Sequence, residues 1–177
     1  MSMFKRFLDR FRNSESGSAT MEFVMVFPIF MVLMGSAWEL GVITMRTTTI
    51  ERATDLVVRD IRLGTGTAPQ HDEIKQRICD LAPILRNCDT NLRVELLQLD
   101  PRNWAEPPTY ADCTDTSQPV SPVRSFENGQ ENELMLMRVC FKVDPVFPAV
   151  GLGHRLVTDA SGKFALVASA AFVQEPL

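Results

Sequence analysis

Residues 23–45 read FVMVFPIFMVLMGSAWELGVITM, 23 residues whose single ionisable side chain, Glu39, stands near the far end. A run of this length can cross a bilayer, whose hydrocarbon core takes about 20 helical residues. A cleaved secretory signal has a shorter apolar core, about 7–15 residues, with a small-residue cleavage site after it. This run is longer and continues into polar helix, so it is expected to stay in the mature protein as a transmembrane helix. Pro28 falls in its first turns, where a membrane helix tolerates the lost backbone hydrogen bond and a local kink is expected. Trp38 and Glu39 read as an interfacial aromatic and a carboxylate that reaches water, together a depth anchor.

Beyond the apolar run the helical pattern persists. Ile50, Ala53, Val57 and Ile61 recur at helical spacing with charged residues on the other faces, so one helix is expected from about residue 20 to 62. At 1.5 Å per residue that rod is about 65 Å long. Gly64, Gly66 and Pro69 break it. A second helix is expected with Asp72 and Glu73 in its first turn and Ile74, Ile78, Leu81 and Leu85 on one face, ending near Asn87.

From Leu92 the period becomes two. Leu92, Val94 and Leu96 share one parity and Leu97 and Leu99 follow on the other, which predicts a strand with a bulge near Leu96. Pro101, Pro107, Pro108, Pro119 and Pro122 mark a long loop tied down by Cys113. Alternation returns with Met135, Met137, Val139, Phe141 and Val143 opposite Arg138, Cys140 and Lys142, and again with Phe164, Leu166, Ala168, Ala170 and Phe172. The expected fold class is α+β: a long N-terminal transmembrane helix extended into an amphipathic helix, a second helix, and two or three antiparallel strands covered on one face by helix.

The 177 residues carry a net charge of -4 and no basic stripe, which argues against nucleic acid as a partner. Basic residues do not orient the span, since Lys5, Arg6, Arg10 and Arg12 precede it and Arg46, Arg52, Arg59 and Arg62 follow. The cysteines do. Cys79, Cys88, Cys113 and Cys140 all follow the span, and an even number in a small domain favours disulfides in an oxidising compartment. Three connectivities are open; pairing Cys79 with Cys88 and Cys113 with Cys140 is the preferred one. The N-terminus is read as cytoplasmic and the rest as exported.

Catalytic constellations are not found. His71 and His154 are isolated, the glycines at 64–66 and 151–153 lack the strand-loop-helix setting of a phosphate loop, and the cysteine spacing matches no zinc pattern. Asp80, Asp89, Asp112 and Asp115 flank the cysteines without calcium-loop spacing. No metal or cofactor is expected and the chain is not read as an enzyme.

Function is therefore sought at the N-terminus, where Gly17 is followed five residues later by Glu22 and then by Phe23. A carboxylate at the mouth of a membrane helix costs about 2.5–3.5 kcal/mol on insertion scales, so it ordinarily has a partner and a role. The stretch Gly17-Ser-Ala-Thr-Met-Glu-Phe-Val-Met-Val-Phe-Pro28 resembles the TadE-like family of tight-adherence (Tad, or Flp) pilus assembly proteins, related to type IV prepilins and pseudopilins. The C-terminal stretch that includes Glu175 and Pro176 also resembles the family, although Gln174 stands where a basic-Asn pair is more usual.

The resemblance implies a pilin-like architecture with residues 1–17 as a cytoplasmic leader, 18–45 as the transmembrane helix and 46–177 as an exported domain with disulfides. It implies cleavage between Gly17 and Ser18 by a prepilin peptidase. The new Ser18 amine would be a cation that Glu22 can pair with, within the same chain or from a neighbouring subunit, with Phe23 beside it. Other pilins and minor pilins, the prepilin peptidase and the inner-membrane assembly platform are the implied partners, and the loop at 147–152, with Val150, is a candidate contact. The implied function is that of a minor pilin or pseudopilin that primes or joins a Tad-type pilus used in adhesion. A signal-anchored binding or envelope-structural module, and after it a tethered enzyme, are the alternatives, and neither depends on Gly17 and Glu22.

Overall fold

The computed structural model describes residues 18–63, 69–114 and 126–176. The leader, Gly17, the helix-breaking residues 64–68, Asp115, Pro119, Pro122 and Leu177 lie outside them. Helix α1 runs Ser18–Arg62, α2 His71–Leu81 and α3 Cys88–Asn91, followed by strands β1 Leu92–Leu99, β2 Leu134–Val143 and β3 Phe164–Val173. The strands form one antiparallel sheet in the order β1-β2-β3, so the fold is α+β.

One face of the sheet makes the core. Leu92, Val94 and Leu96 pair with Phe141, Val139 and Met137, which in turn pair with Leu166, Ala168 and Ala170. Onto these side chains pack Ile50, Ala53 and Val57 of α1 and Ile74 and Ile78 of α2, all buried. Burying a side chain of this size stabilises by about 1.5–3 kcal/mol, so the distal half of α1 is held by the head rather than by its own propensity.

The register of β1 is unbroken from Leu92 to Leu99, and the bulge expected at Leu96 does not exist. The parity change has another cause: Leu97 and Leu99 lie on the second face, opposite Leu136 and Leu134, and that face is covered in part by the loop after β1. Arg138 organises the cover. Its guanidinium donates to both carboxylate oxygens of Glu95, at 3.0 and 2.8 Å, and to the backbone carbonyls of Pro108 and Tyr110. Glu95 also accepts the Asp112 N–H. A buried ion pair needs its remaining donors and acceptors satisfied, and the loop backbone does this.

Helix α2 stops at Leu81, not near Asn87. Pro83 has no N–H and disfavours helical backbone at Ala82, so Leu81 is exposed while Leu85 enters the core from a turn. At the start of α2, Glu73 Oε2 accepts the Gln70 N–H at 3.0 Å. The disulfides join Cys79 to Cys88, linking α2 to α3, and Cys113 to Cys140, fixing the long loop to β2. Before β3, Asp159 accepts from the Ser161 hydroxyl at 2.6 Å and the Lys163 N–H at 3.1 Å, and pairs with Lys142 at 2.9 Å.

The C-terminal residues close the far end of α1. The Gln174 side-chain amide donates to the Ile61 carbonyl at 3.2 Å, one of the last-turn carbonyls that lack a helical partner, and Glu175 pairs with Arg62 at 2.8 Å. Gln174, the residue that departs from the expected C-terminal pattern, thus serves here as a side-chain cap.

Candidate functional site: the N-terminal helix and the loop that clasps it

Helix α1 is a 45-residue element with two regimes. From Met21 to Met34 its large apolar side chains are exposed, and among the described residues it is the helix long and apolar enough to cross a membrane. Such a surface in water would be an aggregation hazard; against acyl chains it needs no cover. The helix fits a membrane anchor. It continues unbroken through Pro28, and Phe23 and Phe27, one turn apart, stack with ring centroids 4.9 Å apart.

Ser18, where the described residues begin, is already helical, and Glu22 and Phe23 are exposed one turn later. Among the described residues Glu22 has no hydrogen-bond or ion-pair partner. Ser18, Glu22, Phe23 and Pro28 all lie on α1 within about three helical turns of one another.

The head reaches farther down α1 than expected. Glu39 does not extend to water: it is 1% exposed, and its two carboxylate oxygens accept the backbone N–H groups of Val146 at 2.9 Å and Phe147 at 2.8 Å. The β2–β3 loop is thereby moored to the helix. One turn earlier, Ser36 Oγ donates to the Val32 carbonyl at 2.8 Å and accepts the Leu152 N–H at 3.1 Å. The loop at 147–152 is therefore occupied in part by its own helix, while Phe147 and Val150 remain substantially exposed.

Two glycines allow this contact. Gly151 adopts φ 63°, and a Cβ there would lie 2.4 Å from Ser36 Oγ. At Gly153 a Cβ would lie 2.4 Å from the Phe147 carbonyl oxygen and 3.2 Å from Glu39 Oε2. These are turn glycines with a packing reason, since a side chain at either site would push the loop off the helix.

The head-facing stripe of α1 extends farther toward the N-terminus than Ile50. Val57, Ala53, Ile50, Arg46, Ile43, Glu39, Ser36 and Val32 alternate steps of four and three. Continuing the apolar stripe toward the N-terminus places Glu39 and Ser36 on the buried side, with the exposed Trp38 on its flank.

A single long helix that fits a membrane anchor, continuous with a small disulfide-bearing α+β head, is the class these features define. Residues 17–59 match the family model described as TadE-like protein, so the chain carries a TadE-like segment that begins at Gly17 and ends inside α1. No curated protein and no solved structure matches the chain.

Proposed function

We propose that this chain is a minor pilin or pseudopilin of a Tad-type pilus, with the N-terminus cytoplasmic and the head exported. The observation that carries the reading is the overlap of the TadE-like match, which opens at Gly17 and ends at residue 59, with the exposed apolar run of α1 from Met21 to Met34, at whose head Glu22 stands exposed. Cleavage between Gly17 and Ser18 would leave a helix with a free amine at its first residue. Glu22, exposed and one turn on, would be the compensating carboxylate for that amine or for the amine of the next subunit. Phe23 would pack beside the pair, and the apolar surface from Met21 to Met34 would meet the helices of other pilins and the assembly platform.

The head supports a revised depth for the helix. Twenty residues from Ala19 to Trp38 cover about 30 Å, the hydrocarbon thickness. A span of 23–45 would instead put the Glu39 carboxylate six residues, or about 9 Å, inside the outer boundary, where an ionisable group is expensive. The bilayer segment is accordingly 19–38, with Glu39 at its outer edge.

Two measurements test the assignment. Intact mass of the membrane-extracted protein should show a chain beginning at Ser18; a retained leader would count against processing. Glu22→Gln should insert in the membrane normally yet lower the number of piliated cells at least tenfold. Normal piliation in that variant would refute the pairing role.

A further inference from the structure

The β2–β3 loop has an unusual composition for an exposed connection. Residues 145–153 read PVFPAVGLG, nine residues without a charge, bracketed by Asp144 on one side and His154 and Arg155 on the other. Val146, Phe147 and Val150 are exposed although the loop is tightly held. Between the loop and α1 lies an apolar groove of ≈430 Å³, walled by Met31, Met34 and Trp38 on the helix and Phe147 and Val150 on the loop.

The depth of this groove decides what fills it. Its helix wall is part of the surface that faces lipid in the segment 19–38, so the groove is continuous with that surface. Gly151 approaches the Val32 carbonyl, and Val32 is six residues below Trp38, or about 9 Å toward the bilayer centre. A loop that bonds to Ser36 through Leu152 and passes close enough at Gly151 for an added Cβ to touch the Val32 carbonyl cannot stay outside the hydrocarbon if α1 crosses it at this level. Its lack of charge is what that location requires, because an ion there would be expensive. Its backbone needs are also partly met, as Val146 and Phe147 donate to Glu39 and Leu152 donates to Ser36, and non-helical backbone at membrane depth survives only where protein groups satisfy it.

We propose that residues 145–153 form a membrane wedge: the loop seats in the leaflet on the head's side, with Phe147 and Val150 among the acyl chains and a lipid tail in the groove beside Trp38. Glu39 and Ser36 are its moorings, and the flanking Asp144, His154 and Arg155 mark the headgroup level. The wedge rests on α1 crossing the bilayer, not on the pilus assignment, and it sets how far the head can tilt or rise from the surface.

The test uses the full chain in phosphatidylcholine vesicles with Trp38→Phe and Trp104→Phe as background. In that background Val150→Trp reports the loop and Phe30→Trp reports the span; Phe147→Trp, at a position that already holds an aromatic ring, serves if Val150→Trp does not fold to a protease-resistant head. The wedge requires the loop indole to lose more than half its emission to lipids brominated on the upper acyl chain and to be shielded from aqueous iodide. Iodide quenching without lipid quenching would place the loop in water and overturn the wedge. Shielding from both quenchers would mean that protein, a second copy included, fills the groove, which also overturns it. Failure of Phe30→Trp to respond to brominated lipid would remove the membrane crossing itself, and the wedge with it, whereas its response beside an unquenched loop indole would sink the wedge alone.

Discussion

The Glu39 carboxylate and the Phe147 backbone N–H meet at 2.8 Å across 108 residues of chain, and this contact, with its partner at Val146, ties the sheet's connecting loop to the membrane-proximal helix. Hydrogen bonds to a charged acceptor contribute about 1.5–3 kcal/mol each, and a buried donor left unpaired costs about 1–3 kcal/mol. Glu39→Ala should therefore destabilise the loop attachment by about 3–5 kcal/mol. Limited proteolysis of the detergent-solubilised protein should cut within 144–156 at least tenfold faster, whereas Glu39→Gln, which keeps one acceptor, should fall between.

The same attachment can be loosened without touching a polar group. Gly153→Ala introduces a Cβ against the Phe147 carbonyl, backbone that cannot swing away as a side-chain tip can. The expected result is a shifted loop and a loss of about 1–3 kcal/mol, the usual cost of overpacking. Faster backbone hydrogen exchange at Val146 and Phe147, with the sheet unchanged, is the measurement that checks it.

The buried pair on the second face of the sheet should behave differently when one or both members are removed. Glu95→Ala leaves the Arg138 guanidinium buried without its counter-charge and should cost about 3–5 kcal/mol. Replacing both, as Glu95→Leu with Arg138→Met, should recover most of that loss, because neither charge is then left unpaired. Thermal unfolding of the two variants, with the Cys113–Cys140 disulfide intact, distinguishes the outcomes.

Asp159 gives the head an acid-sensitive corner. Burial pushes its carboxyl up, but hydrogen bonds from Ser161, Lys142 and the Lys163 N–H outweigh this and hold it well below its ordinary value of 3.8. A carboxylate depressed on folding contributes stability that is fully present above its unfolded value and is lost as pH falls through the folded one. Stability should thus decline below about pH 4, and Asp159→Asn should flatten that part of the profile while lowering stability at neutral pH. A melting series from pH 7 to pH 2 reads both.

Periodicity made much of the fold legible. The 3–4 spacing of Ile50, Ala53 and Val57 and the alternation of Met135, Met137, Val139 and Phe141 each announce one buried face, and the structure buries those faces against each other. The end of α2 was also readable, because Pro83 excludes helix at Ala82. Leu97 and Leu99 misled because apolar residues on both faces of a strand look like a register slip unless a covering loop is known. Glu39 misled for a deeper reason. Its partners are backbone N–H groups more than a hundred residues away, and main-chain donors leave no mark in a sequence. Only the continued stripe through Ser36 and Ile43 hinted that the carboxylate pointed inward.

The unbroken run of α1 from Ser18 to Arg62 has a mechanical consequence. Its first half is largely exposed and its second half is the spine of the head's core, within one continuous helix. Tension applied to the first turns is carried directly by Ile50, Ala53 and Val57 against the sheet and by Gln174 at the far end. The helix cannot be drawn out of the head without unfolding it, so any rotation or pull imposed on the rod must move the head as one rigid load.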